Sequence, residues 1–241
     1  METDYIFLTI GQLLTASVLM AVNIGLSLIL KLGLAKQWSI ASLRMVGQLL
    51  LVGFLLDWVF ALNNPFWILG VALFMATIAS ITAVGRTRKR FSAIYLNSFI
   101  SILGAGFFVM FFALSGVLQI DPWYSPNIVI PLAGMIFANC MNGISLAAER
   151  LESELKQGKT YEEAKVVALR TSLIPITNML LAVGIVSLPG MMTGQILSGV
   201  LPMIAVRYQV MVMCMLFGST GISVAVFLQS VRVQFTDKKS G

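Results

Sequence analysis

The sequence predicts an all-α, polytopic membrane protein of about seven transmembrane helices, and three observations carry that expectation. Of 241 residues, 58% are hydrophobic and only 11% charged, against about 25% charged in a soluble domain. The mean hydropathy is +0.92. Apolar stretches of roughly 20 residues recur, and at about 1.5 Å of rise per residue each can cross a hydrocarbon core of about 30 Å.

The spans read as about 6–30, 39–60, 66–85, 93–118, 127–147, 172–188 and 208–230, within a single permease-like domain over 1–241. The first follows METDYIF, whose acids stand where a secretory signal carries basic residues, so this stretch reads as a retained helix. Lys31 and Lys36 separate it from the second. Asn63, Asn64 and Pro65 break the second from the third, and Arg86, Arg88, Lys89 and Arg90 separate the third from the fourth. The run Asp121-Pro122-Trp123-Tyr124-Ser125-Pro126 divides the fourth from the fifth, and its aromatics suit a membrane interface. Seven helices leave only loops, too short for a separate catalytic domain.

Charge sets the expected orientation. With seven spans, every Lys and Arg except Arg44 and Arg207 falls on one side: Lys31 and Lys36, the 86–92 loop, the 148–171 segment with Arg150, Lys156, Lys159, Lys165 and Arg170, and the tail with Arg232, Lys238 and Lys239. Glu2, Asp4, Asp57 and Asp121 fall on the other. Positive-inside bias then places the N-terminus outside and the C-terminus in the cytoplasm, in a plasma or inner membrane. The pI near 9.6 is explained by topology, with no need for nucleic acid.

The spans hold almost no titratable group. Arg44 is the only ionisable side chain clearly within one, and the chain has no His. Ion-driven transporters usually carry a buried acid or a proton relay. The pattern is that of a transport protein without its own motor.

Two regions depart from plain spans. Residues 145–170, with 148–170 as their charged part, form two helix-like halves meeting at Gly158. Leu146, Leu151 and Leu155 recur at roughly helical spacing, as do Ala164, Ala168 and Leu169. Thr160 with Glu163 fits a capping box. This is either a solvated connector of mixed charge or a helix–turn–helix that docks a soluble partner through Glu149, Glu152, Leu155, Gly158, Thr160, Glu162 and Glu163. In 184–207, Pro189, Gly190, Gly194, Gly199 and Pro202 break any straight helix. Broken backbone at membrane depth survives only under protein or beside a cavity, and often flanks a substrate. Pro189, Gly190, Met191, Met192 and Gln195 are therefore pathway candidates.

Gly158-Lys159-Thr160 is not a phosphate loop. The motif's first glycine would fall at Ser153, and no strand precedes it. Arg44 and Gln48 share one face of the second span and are pathway candidates; Arg44 either snorkels to the interface, about 8 Å away, or takes a gate or pairing role. Asn139 and Asn142, with Gly134, Ala138 and Gly143, either bridge close-packed helices or line a polar path toward Glu149. Methionine numbers 14, with Met179, Met191, Met192, Met203, Met211, Met213 and Met215 in the last quarter. They suit packing, or weak contacts to a soft ion. Cys140 and Cys214 read as buried free thiols, and no metal-ligand spacing exists.

GIVSLPGMMTGQILSGVLPMIAVRYQVMVM at 184–213 resembles the signature of the small ABC-type permeases of the Fet iron-export family, whose plant relatives act in aluminium tolerance. IPLAGMIFANCMNG at 130–143, LKQGKTYEEAKVVALRTSLIP at 155–175 and LRMVGQLLLVGFLL at 43–56 add support. The resemblance implies a permease whose 150–165 region docks on a separate ABC ATPase, which binds ATP-Mg while this chain binds no cofactor. It also implies export of iron or a related metal cation, and names no ligand set. The expected assembly is a permease homodimer in the bilayer over two ATPase subunits. The chain itself would be no enzyme. A secondary transporter or channel without ATP coupling is the first alternative, and a seven-helix receptor the second. No span holds the lysine of a retinal protein, nor the paired acid or nucleophile–base set of an intramembrane enzyme.

Overall fold

The computed structural model describes residues 9–62, 64–85, 87 and 92–236. Among these the chain is helical: α1 (Ile10–Ile29), α2 (Ala35–Leu62), α3 (Pro65–Val84), α4 (Ser92–Phe111) continued by a π-helical segment (Phe112–Leu118), α5 (Pro126–Lys156), α6 (Tyr161–Ala182), α7 (Gly190–Leu197), α8 (Pro202–Ser230) and α9 (Arg232–Thr236). Seven helices are long and apolar enough to cross a membrane. Local chemistry sets their starts. Thr9 and Gln12 form a capping box for α1. Asn64 accepts from the Phe66 amide at 3.0 Å ahead of Pro65. Pro126 and Pro202 open α5 and α8, where proline lacks only an amide hydrogen that the helix would leave unpaired.

The helices group into two compact units, Met1–Leu62 and Asn63–Gly241. The first is the α1–α2 pair. Its turn is fixed by Ser27, the one buried residue of α1, whose hydroxyl accepts from the Leu34 amide at 3.2 Å. Most of the described apolar side chains of this pair are exposed, as hydrocarbon solvent permits, with Val59 an exception.

The second unit is built around α5, which packs against α3, α4, α6 and α8. Ala133, Ile136, Phe137, Cys140, Ile144 and Ala147 are buried along it. At Gly143 the side chains of α8 come close: a methyl there would stand 2.9 Å from the Thr220 and Val224 methyls. That glycine is what allows the two helices to approach.

Several boundaries differ from the sequence reading. The fifth span, expected to end near 147, continues as helix to Lys156. Its 31 residues reach about 46 Å, well past a membrane core, so 149–156 projects beyond it. The expected long 148–171 connection is thus two helix ends and a short irregular turn at 157–160. The sixth span, expected to 188, ends as helix at Ala182. A tight turn follows, closed by the Val186 amide on the Ala182 carbonyl at 2.8 Å and the Gly184 amide on the Ser187 carbonyl at 2.9 Å. The seventh starts at Pro202, so 202–207 of the expected broken segment is helix and Arg207 lies inside it. The basic residues Arg86, Arg88, Lys89, Arg90, Lys238 and Lys239, the acids Glu2 and Asp4, and the side chain of Asp57 fall outside the described residues.

Candidate functional site

The charged end of the second unit is tightly cross-linked. Gly158 turns the chain with φ +87°, a conformation open to glycine at no steric cost. Thr160 caps α6: its hydroxyl accepts from the Glu163 amide at 3.4 Å, and Glu163 Oε2 accepts from the Thr160 amide at 3.0 Å. Glu154 is buried, pairing with Arg150 at 2.5 Å and with Lys159. The Lys159 ammonium, with Arg150 beside it, holds the Glu154 carboxyl below its ordinary value despite burial. Glu152 is also buried and pairs with Lys156 at 2.7 Å.

This end also joins helices distant in sequence. Tyr161 donates its hydroxyl to the Leu228 carbonyl. Lys165 donates to Gln229 Oε1 at 2.7 Å, Arg232 pairs with Glu162 at 3.3 Å, and Asn97 donates to the Ser230 carbonyl at 3.3 Å. The starts of α4 and α6 and the ends of α5 and α8 therefore share one end of the bundle. Among the residues expected to couple, Glu149, Gly158, Thr160, Glu162 and Glu163 are exposed, and Leu155 is half-buried. Glu152 is turned to structural use.

About 17–28 Å along the helices from the 157–160 turn lies a pocket of about 130 Å³ between α5, α6 and α8. Asn139, Asn142, Gly143 and Leu146 line it from α5. Ser172, Pro175, Ile176 and Met179 line it from α6, and Thr220 from α8. Asn139 Nδ2 donates to the Met135 carbonyl at 2.9 Å, Ser172 Oγ to the Leu169 carbonyl at 2.9 Å, and Thr220 Oγ1 to the Leu216 carbonyl at 2.7 Å. Pro175 lies within α6 and has no amide hydrogen to offer the Thr171 carbonyl. The two asparagines found from sequence are thus brought together around one cavity.

The other pathway candidates lie elsewhere. Arg44 and Gln48 stand one turn apart on α2 of the first unit, both exposed. Pro189 caps α7, and Gly190, Met191, Met192 and Gln195 lie on it, with Met192 buried. The oxygen of Gln195, and that of the buried Gln209 on neighbouring α8, are buried without a hydrogen-bond partner.

The late methionines divide. Met192, Met213 and Met215 are buried and Met203 is exposed. Cys140 is buried, within hydrogen-bonding reach of Ser219 and Ser223. Cys214 is exposed, contrary to expectation; it lines an apolar groove of about 570 Å³ with Arg207, Met211 and Met215, between α8 and the α4–π-helical segment. Among the described residues no group of three or more His, Cys, Asp or Glu gathers to hold a metal.

Sequence reasoning missed Ser172, Thr220 and Gln209. Hydroxyls are common within apolar helices, where they bond to their own backbone. A lone Gln in the apolar run AVRYQVMV was a usable signal.

The model of the uncharacterised protein family UPF0014 matches residues 10–236. A membrane protein of that family from Synechocystis is 35% identical over 192 residues, 73% of this chain and 74% of that protein. The probable iron export permease protein FetB of Escherichia coli is 33% identical over 234 residues, 90% of this chain and 88% of its own length. Protein ALUMINUM SENSITIVE 3 of Arabidopsis thaliana is 32% identical over 185 residues, 70% and 66% of the two chains. No solved structure matches the chain.

Proposed function

The chain belongs to the UPF0014 family of membrane proteins, and from that premise we propose that it is the membrane subunit of an ABC-type transporter. It exports iron or a related metal cation using ATP hydrolysed by a separate subunit. The similarity to a probable iron export permease over nearly the whole chain supports the substrate class. The lack of a carboxylate deep in any predicted span supports an external energy source.

One observation carries the reading. α5 and α6 each run unbroken from the exposed turn at 157–160 to the pocket. A push on that turn moves both walls of the pocket as rods, and the bonds to Leu228, Gln229 and Arg232 carry the same push to α8 and α9. The ATPase docks at this turn, with the C-terminus on the same, cytoplasmic, side and the N-terminus outside. ATP-Mg sits on the ATPase, and two copies of this chain form the pathway. After Arg170, α6 has only about 18 Å of uncharged helix, pocket residues included, less than a membrane core. The α7 segment completes that leg and serves as the outer gate.

The test is co-purification with the ATPase followed by assay of hydrolysis in proteoliposomes. The reading expects metal-stimulated turnover that needs this chain; an ATPase whose turnover is indifferent to the chain refutes it.

A further inference from the structure

We infer that the pocket between α5, α6 and α8 is a transit site for a partly hydrated divalent cation, held by uncharged ligands alone. The inference builds on the transporter reading and names its binding step, but it rests on separate observations and its test needs no ATPase.

The first observation is the direction of the hydrogen bonds. A hydroxyl has one proton to donate. Ser172 and Thr220 each give theirs to their own helix, at Leu169 and Leu216. Their oxygens can meet the pocket only as acceptors. Asn139 directs an amide hydrogen to Met135 and keeps its carbonyl oxygen. Pro175, also in the lining, has no amide hydrogen and adds no donor. The donors that remain are amide hydrogens of Asn139 and Asn142, both on α5, so an anion would be met from one helix alone. A cation needs lone pairs and finds several on three different helices.

The second observation is size and charge. The cavity, of about 130 Å³, has room for an ion with several waters, each needing about 10–15 Å³, so an ion can keep part of its shell and take pocket oxygens for the rest. No Lys, Arg, Asp or Glu lines the cavity. No fixed cation repels the ion, and no carboxylate holds it so tightly that it cannot leave. A conducting site needs that balance. Oxygen ligands favour hard ions such as Mn²⁺, and the one thioether in the lining, Met179, extends the range to borderline Fe²⁺ without making a Cu⁺ site.

The experiment is Mn²⁺ titration of the full chain, without its ATPase, in nanodiscs of zwitterionic lipid. Free Mn²⁺ is read by electron paramagnetic resonance. The wild type is expected to bind one saturable Mn²⁺ per chain with sub-millimolar affinity. Ser172→Ala combined with Thr220→Val, which remove oxygens with little change of shape, should weaken binding about tenfold or more. Ser39→Ala, which removes an exposed hydroxyl bonded to Ala35, should bind as wild type. Thermal melting confirms that each variant is folded, and Thr220→Val alone stands in if the double variant is not. Absence of saturable binding in the wild type, or equal binding in the folded variants, overturns the site. Intact binding with no ATP-driven flux would instead fault the transporter reading.

Discussion

Tyr161 donates its hydroxyl to the main-chain carbonyl of Leu228, tying the first residue of α6 to the last turn of α8. Both ends lie at the charged face of the bundle, so the bond links the proposed docking turn to a helix that lines the pocket. Tyr161→Phe keeps the ring and removes the bond. It should lower stability by about 0.5–1.5 kcal/mol and reduce metal-stimulated ATPase turnover. Thermal unfolding and turnover measured on one preparation check both.

Gly143 faces Thr220 and Val224 across the α5–α8 contact. Gly143→Ala would set a methyl 2.9 Å from each of two methyls and should cost about 1–3 kcal/mol through overpacking. Gly221→Ala, on α8 with nothing within 4 Å, is the matched control. Its melting temperature should hold or rise, because alanine is the better helix former.

The Glu154 carboxyl is held below its ordinary value by Lys159 and Arg150. A depressed folded-state value means the carboxylate's contribution to stability is complete above about pH 5 and fades as pH falls through that lower value. Glu154→Gln should flatten the acid limb of the stability curve and leave the neutral-to-alkaline limb parallel to wild type. Unfolding followed by intrinsic fluorescence from pH 3 to pH 8 (a range of about 5 units around the ordinary carboxylate value) reads this directly.

Gln209 is buried on α8 with its side-chain oxygen unpartnered. Replacing an unsatisfied buried polar group by an apolar one of similar size is often neutral or stabilising. Gln209→Leu should therefore melt at or above the wild-type temperature, read by thermal unfolding; a clearly lower melting temperature would contradict it.

Much of this architecture is legible from residue order. The break at Asn63-Asn64-Pro65, the Thr160–Glu163 cap and the interruption near Pro189 all follow from local backbone chemistry. Their positions agree with the structure within a few residues. What stayed hidden depends on which face of a helix meets which neighbour. AAERLESELK reads as helix from its leucine spacing and strong helix formers, and what stayed hidden is that it continues the fifth span without a break to Lys156. Glu154 reads as exposed until Arg150 and Lys159 close over it. Cys214 and Cys140 sit in equally apolar runs, and only the packing of α5 against α8 buries one and leaves the other on a groove. Asn139 and Asn142 were visible as polar residues in a span. Ser172 and Thr220 complete their pocket from helices whose register no local pattern fixes.

The central claim is that this chain moves a cation only when a partner hydrolyses ATP. Inside-out proteoliposomes holding the chain with its ATPase, loaded with a metal-sensitive dye, test it most directly. The account predicts metal entry on adding ATP, and none without ATP or with the chain alone. Equal entry without ATP would contradict it.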